Sequence, residues 1–326
     1  MPLSLRRGTI TAIDEEHERL MRLRVDGVPC VAYPELTGPV AIGDDVVVNV
    51  QARALGLGSG GFDVLHANLT RGLELEAAGG AHVMPLPYTP LQHAVRHGEE
   101  DTALAERLDG LPVVCCSVHS QVVPVCAGLA GAQVAYVQLG GGALPVSLSD
   151  AIRAVRAKGL VEAVVAAAPC FDADVQCVNL WSALAWCAAR GFEAVVCSVG
   201  PGIVGTGTRL GHGGLAAAEA ANAAAALGGV PILAVRYSEA DARERHRGVS
   251  HHTRAVLDLC LGDVRVAWPL GVAAPEWLHP REEVDASAWR EACSGLPLSF
   301  MGRSAEEEPT FFAAAYAAGL VARPNV

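Results

Sequence analysis

No two cysteines of this chain stand at CxxC spacing, and no cysteine–histidine arrangement matches a zinc finger, although ten cysteines are present. A structural zinc module is therefore not expected. Cys115, Cys116, Cys170, Cys187 and Cys197 lie in apolar runs and read as buried free thiols of a reducing compartment. No uninterrupted apolar run approaches the ~18 residues that a membrane span needs. The opening stretch MPLSLRRGTITAIDEEHERL turns acidic at once and holds no apolar signal core. A cytoplasmic protein without a membrane segment is the expectation. Charge is scarce at 18%, against 51% hydrophobic residues and a mean hydropathy of +0.31, which argues against disorder and supplies a large core. Positive charge is scarcer still, and the formal net charge is −11. A general nucleic-acid or anionic-membrane binder is usually basic, so both are disfavoured as partners. A local basic cluster can still hold a small anion.

At 326 residues the length favours two domains or one large domain with an appendage. The first part is built of short β-branched runs, GTITAI, LMRLRV, VPCVAYP and DVVVNV, separated by turn signals such as VDGV and AIGDD. They predict a small antiparallel barrel. LGLGSGGF follows, with Gly56, Gly58, Gly60 and Gly61, and then a proline-marked stretch with Pro85, Pro87 and Pro90. The barrel is assigned to residues 1–75.

Residues 76–326 have another rhythm. LPVVCCSV, AQVAYVQL, EAVVAAAP, EAVVCSV, VPILAVRYS and VRVAWPL read as strands apolar on both faces. Helix-period segments lie between them: SLSDAIRAVRAKG, VQCVNLWSALAWCAARG, GGLAAAEAANAAAALGG and SHHTRAVLDLCLG. Gly159, Gly191 and Gly228 stand where helix C-caps belong. ASAWREA and TFFAAAYAAGLV add two C-terminal helices. The pattern predicts a doubly wound, mostly parallel α/β sandwich. In such sheets ligands bind where strands end and helices begin.

Two of those junctions stand out. GPGIVGTGTRLGHGG, residues 200–214, holds seven glycines, with Thr206, Thr208, Arg209 and His212 as donors. Gly200, Gly202 and Gly205 satisfy GxGxxG, but the loop follows a late strand and Glu239, the nearest acidic candidate, is too far along for a dinucleotide fold. Gly202 to Gly207 satisfies GxxxxG, but Thr208 and Arg209 follow where a P-loop requires Lys and Ser/Thr. The remaining reading is an anion cradle of backbone N–H groups from Gly205 to Thr208 at the start of a helix, against a packing role for the glycines.

The second junction is RYSEADARERHRGVSHHT. Asp241 and Glu244 suggest a capping box on a short helix, with Arg243, His246 and Arg247 on one face and Arg245 elsewhere. Ser250 is placed to cap the next helix, with His251 and His252 in its first turn. A helix N-terminus disfavours imidazolium, so neutral rings are expected. The stretch has no HxxxH or HxH pair, and adjacent His251 and His252 should point apart on a helix, which disfavours one shared metal ion. Other polar islands lie at His119 and Ser120, at Asp172, Asp174 and Asn179 with Asp174 as a helix cap, and at Asp63, His66 and Asn68 in the barrel.

LGLGSGGF, PLPYTPLQ, GPGIVGTGTRLGHGG and RYSEADARERHRGVSHHT resemble the hallmark segments of a bacterial family of uncharacterised proteins, domain of unknown function 3866. The resemblance covers nearly the whole chain and implies no activity. It also implies departures, since relatives carry an acidic residue where Gly140 stands, a histidine at Pro169 and a glutamate at Gln176. That pattern favours retained binding over a retained reaction.

The expected function is binding of a phosphate- or carboxylate-bearing small molecule, with hydrolysis or group transfer as the reaction classes open to it. His246 and His251 are the candidate catalytic residues. Gly202, Gly205, Thr206, Gly207, Thr208, His212, Arg236, Ser238, Arg243, Arg245, Arg247, Ser250 and His252 are the candidate ligand-binding residues. No metal or cofactor is assigned, and an oligomer is left open. Two alternatives stand beside this reading. One is a non-catalytic regulatory or scaffold protein. The other is a metal-dependent hydrolase using Asp241, His246 and His251.

Overall fold

Turn chemistry and strand alternation build the N-terminal part. The computed structural model describes residues 3–56, 60–75, 79–278 and 280–324, so Gly58 of the first glycine cluster lies outside the described residues. Strands β1 (Leu5–Glu16), β2 (Met21–Val25), β3 (Val28–Ala32), β4 (Asp45–Asn49) and β5 (Asp63–Asn68) close a barrel in the order β1-β2-β3-β5-β4. Asp26 and Gly27 join β2 to β3 with φ of 50° and 80°, the two positive values a tight twisted hairpin turn requires. Alternate residues Leu23, Val25, Val46 and Val48 fill the interior with Ile10 and Leu65. Two short helices, α1 (Pro34–Thr37) and α2 (Gln51–Ala54), lie in the connections. The barrel is not wholly antiparallel as expected: β3 pairs with β5 in parallel. Directions cannot alternate all the way round a ring with an odd number of strands, so one parallel pair is forced. The chain divides into two compact units, Met1–Val95 and Arg96–Val326, and the proline-marked stretch falls within the first.

In the second unit, helix α3 (Gly98–Asp101) precedes an eight-stranded sheet. Its strands are β6 (Pro112–Cys116), β7 (Val134–Leu139), β8 (Ala163–Ala167), β9 (Val175–Cys177), β10 (Ala194–Val199), β11 (Val230–Ala234), β14 (Arg265–Pro269) and β15 (Glu282–Val284). The order is β15-β14-β11-β6-β10-β7-β8-β9 and every pairing is parallel. Successive strand residues feed opposite cores: Val114 and Cys116 face one, Val113 and Cys115 the other. That is why these strands read as unbroken apolar runs. One face carries α4 (Val122–Gly128), α5 (Asp150–Ala157), α9 (Trp289–Ala292) and α10 (Pro309–Ala322). The other carries α6 (Leu180–Ala189), α7 (Ala216–Ala226) and α8 (His251–Leu259). Gly159, Gly191 and Gly228 end α5, α6 and α7 at positive φ, as expected.

Two details differ from the sequence reading. Val175–Cys177, expected at the start of a helix, is the edge strand β9, and α6 begins only at Leu180. Asn179, not Asp174, caps α6 by accepting from Ser182 N at 3.0 Å. Asp174 instead pairs with Arg156 at 2.6 Å and accepts from Val164 N. The cap must sit next to the first helical turn, and the short strand puts Asp174 too early.

Sheet order opens a crevice at one place. β6 and β7 lead into α4 and α5 on one face, whereas β10, wedged between them, leads into α7 on the other. Their exits diverge and leave a crevice at the C-terminal strand ends. The loops after β6, β7, β10 and β11 meet there.

Candidate functional site: an arginine–histidine cluster at the strand ends

The glycine-rich segment folds back on itself beyond β10. Gly205 bridges His212, Thr206 N donates to Gly211 O at 2.8 Å, and Gly213 N donates to Val204 O at 2.9 Å. Thr208 Oγ1 accepts from Gly211 N at 3.0 Å and lies 3.1 Å from Thr206 Oγ1. Of the Gly205–Thr208 amides expected to form a cradle, the hairpin uses that of Thr206 internally, together with both threonine hydroxyls. Gly202, Gly205, Thr206, Gly207 and Thr208 are exposed along it. The glycines have packing reasons of their own. A Cβ at Gly213 would overlap the Gly141 carbonyl, and one at Gly200 the Ala143 carbonyl, so the loops after β7 and β10 interlock backbone against backbone. Arg209 pairs with Asp258 at 2.8 Å on the surface.

The segment after β11 is held by a second small ladder. β12 (Tyr237–Ser238) pairs with β13 (Gly248–Val249), and Ser250 N donates to Arg236 O at 2.9 Å. Between them the expected short α-helix is a single 3-10 turn, Glu244–His246. Asp241 does not make a capping box with Glu244. It accepts from Arg243 N at 3.0 Å and from the Arg243 guanidinium at 2.9 and 2.8 Å, and Arg303 Nη2 approaches at 3.4 Å. The Asp241 carboxyl sits well below the usual carboxylate range, chiefly through the hydrogen bonds from the Arg243 side chain. Arg243, His246 and Arg247 therefore do not share a face: Arg243 turns back onto Asp241, His246 is buried, and Arg247 is exposed with only a 3.4 Å bond to Asp241 O. Buried Ser238 accepts from Asp241 N at 3.0 Å and donates to Glu308 at 2.6 Å. Glu308, fully buried, also accepts from Arg303 Nε at 2.5 Å. Arg303 and Glu308, from the polar stretch ahead of α10, were missed in the sequence. Their signal was a charged run placed directly before an apolar helix.

Four imidazoles converge beside this framework. Ser250 caps α8 as expected, accepting from His252 N at 3.2 Å, and its hydroxyl meets His246 Nδ1 at 2.7 Å. His251 and His252 lie 4.5 Å apart between ring centroids, so the expectation that they point apart is corrected. The first turn of α8 is tucked under the hairpin, and both rings pack on neighbours. His252 stacks on His212 at 3.5 Å and 7°, and His246 stands 4.7 Å from His251 and 4.9 Å from His252. Gly214 packs against the stack: a Cβ there would stand 2.9 Å from Ser117 O, 3.1 Å from His212 Nδ1 and 3.4 Å from His252 Nδ1.

Arg236 closes the cluster. It is 1% exposed, its Nη1 lies 2.8 Å from His252 Nδ1, and its guanidinium lies 5.3 Å from the Phe300 ring centre. Its Nε has no hydrogen-bond partner, and among the described residues it makes no ion pair. Arg245 is exposed, with its guanidinium 3.3 Å from where a Gly207 Cβ would stand.

All four histidines are held neutral. Burial comes first, pushing His246 down to about 3 and His252 to about 2, with Arg236 the next cause for both. Burial likewise lowers His212 and His251. The neutral rings were anticipated, but their cause is burial among guanidinium groups rather than the helix N-terminus alone. Neither ring nitrogen of His212 makes a hydrogen bond of ordinary geometry, although the Arg209 backbone offsets burial slightly. His251 Nε2 is also unpartnered.

A cleft of about 440 Å³ opens next to His212, lined by Gly140, Pro169, Leu180, Leu210, Leu215 and Glu219 among others. Gly140 faces Pro169 there. Gln176 is buried on β9 and donates to Cys170 O at 2.7 Å. At the crevice itself His119 pairs with Ser149, not with neighbouring Ser120. Its Nδ1 donates to Val199 O at 3.0 Å and its Nε2 accepts from Ser149 Oγ at 2.6 Å, while burial lowers its pKa to about 4. Ser149 also caps α5 through Ile152 N, so this pair braces β6, β10 and α5.

The molecule is thus an α/β protein with a doubly wound parallel sheet, a closed N-terminal barrel, and an arginine–histidine cluster at the strand ends. No helix among the described residues is long and apolar enough to cross a membrane. The chain belongs to the family described as "Protein of unknown function (DUF3866)", whose model matches residues 29–319. No curated protein matches it.

Proposed function

We propose that this protein binds a small oxyanion, phosphate- or carboxylate-bearing, against Arg236 and the histidines around it. The observation that carries the reading is Arg236, a buried guanidinium with a free Nε and no carboxylate partner. An uncompensated buried charge costs several kcal/mol. Its own pKa is lowered only to about 10, chiefly by burial, so it stays charged at neutral pH. A bound oxyanion supplies both the missing charge and an acceptor for Nε. Arg236 also sets the tautomer of His252. A guanidinium only donates, so His252 Nδ1 accepts and the ring proton sits on Nε2, a second donor.

The rival reading is a metal ion, because ligand atoms of His212, His251 and His252 lie within 4.8 Å of one another. Three features oppose it. A ligating imidazole donates its second N–H, whereas His252 Nδ1 accepts. The nearly parallel rings of His212 and His252 aim their lone pairs side by side rather than at one point. Arg236, Arg243 and Arg245 bear on the rings and repel a cation. Asp241, the carboxylate of the hydrolase alternative, is held by Arg243 through both oxygens.

The test is thermal unfolding of the full chain with phosphate, sulfate, acetate or Zn²⁺. Oxyanions should raise Tm saturably, and Arg236→Met should abolish the rise. A rise with Zn²⁺ alone that disappears in His251→Ala would replace this reading with the metal site.

A further inference from the structure

We infer that the ligand is a dianionic phosphate monoester whose organic part occupies the cleft beyond His212. This inference rests on the anion site proposed above and names its substrate class.

The first argument is charge. Arg243, Arg245 and Arg303 all bear on Arg236 in this corner of the fold. Asp241 and Glu308 are the carboxylates set against them, and they are engaged by Arg243 and Arg303. Among the described residues Arg236 and Arg245 make no ion pair, and the four histidines add no charge at neutral pH. A surplus of two positive charges matches a phosphate ester, which is close to dianionic above its second pKa of about 6. A monocarboxylate would neutralise only half of it.

The second argument is continuity. Arg236 touches His252, His252 stacks on His212, and His212 lines the cleft. The hairpin that carries His212 also places Gly207 against Arg245 and Leu210 on the cleft wall. A phosphoryl group held by Arg236 and Arg245 therefore has this cleft as a neighbouring space for its ester substituent. That space is walled by Leu139, Pro169, Leu180, Leu210 and Leu215, with His212 and Glu219 also in its lining, which suits a compact organic body that carries hydrogen-bonding groups beside its apolar surface.

The experiment is calorimetric titration of the full chain at pH 7.5 with inorganic phosphate, phenyl phosphate and benzoate, on the natural sequence and on Arg245→Met and Leu210→Glu. Both replaced side chains are exposed on loops, so folding should survive, and circular dichroism checks this. Phenyl phosphate should bind at least tenfold more tightly than phosphate, and phosphate at least tenfold more tightly than benzoate. Arg245→Met should narrow the phosphate-to-benzoate gap. Leu210→Glu should cancel the advantage of phenyl over inorganic phosphate, read as the ratio of the two dissociation constants measured on that one variant. Equal binding of phosphate and benzoate would overturn the dianion while sparing the anion site. Phenyl phosphate no tighter than phosphate would overturn the cleft. Binding of none of the three probes would remove the anion site itself.

Discussion

Acid should unfold the second unit earlier than an ordinary α/β domain, and the histidines say by how much. His119, His246 and His252 have folded pKa values of about 4, 3 and 2, against 6.5 for an unperturbed ring. Between pH 6.5 and those values the unfolded chain binds protons that the fold refuses, so stability is complete above about pH 7 and falls as the solution is acidified. Each refused proton contributes about 1.4 kcal/mol per pH unit. Three such rings give a slope of about 4 kcal/mol per pH unit near pH 5, a large part of the ~5–15 kcal/mol that holds a typical domain together. Asp241 has the opposite chemistry but the same sign. Its depressed carboxyl keeps its contribution until far more acidic solution, so it does not confuse this window. All five tryptophans, Trp181, Trp186, Trp268, Trp277 and Trp289, belong to Arg96–Val326, so their fluorescence follows this unit alone. Urea titrations at pH 7.5, 6.5, 5.5 and 4.5 should show a constant midpoint above neutrality and a steep fall below pH 6.5. His246→Leu should flatten that fall by about one proton's worth. Stability that is level between pH 6.5 and 5 would mean that these rings are solvated or already protonated, and the account of a neutral buried cluster would fail.

Gly213→Ala should destabilise by about 2 kcal/mol or more, because the new methyl overlaps the Gly141 carbonyl where both partners are backbone. Gly262→Ala, with only Ala225 Cβ at 4.0 Å and no positive φ, is the matched control and should leave the urea midpoint unchanged. Gly319→Ala should lower Tm in the same way, since a Cβ there meets the Val125 carbonyl and pushes α10 off α4, a cost of about 1–3 kcal/mol. Asp241→Asn removes the charge partner of Arg243 and weakens Arg303, and breaking a buried pair costs about 3 kcal/mol. Added phosphate should recover more of that loss than it adds to the natural protein, because the replaced site holds one more unmatched guanidinium.

Strands that bury both faces announce themselves, and β6, β7, β8, β10, β11 and β14 all appear where unbroken apolar runs stand. The three-residue strands β9 and β15 do not, because their pairing is set by a neighbouring strand and by nothing in their own composition. The same division runs through the site. His246, Ser250, His251 and His252 are local, and helix capping was enough to place Ser250 as the cap of α8 with His251 and His252 on its first turn. His212 joins them from a loop some forty residues earlier, beside a glycine that packs against the stacked rings. Gly214 is one of seven in the loop, and nothing in the string says that it meets Ser117 O and two imidazoles while Gly213 clears the Gly141 carbonyl. Glycine reports that space is short but not whose atoms fill it. The glycine-rich loop was therefore legible as a special turn, but its close approach to other loops was not: it carries His212 onto His252. The proposed anion site rests on how few carboxylates meet the arginines of this corner. That deficit becomes visible only once Arg303 and Glu308, from the far end of the chain, are set beside Asp241 and Arg236.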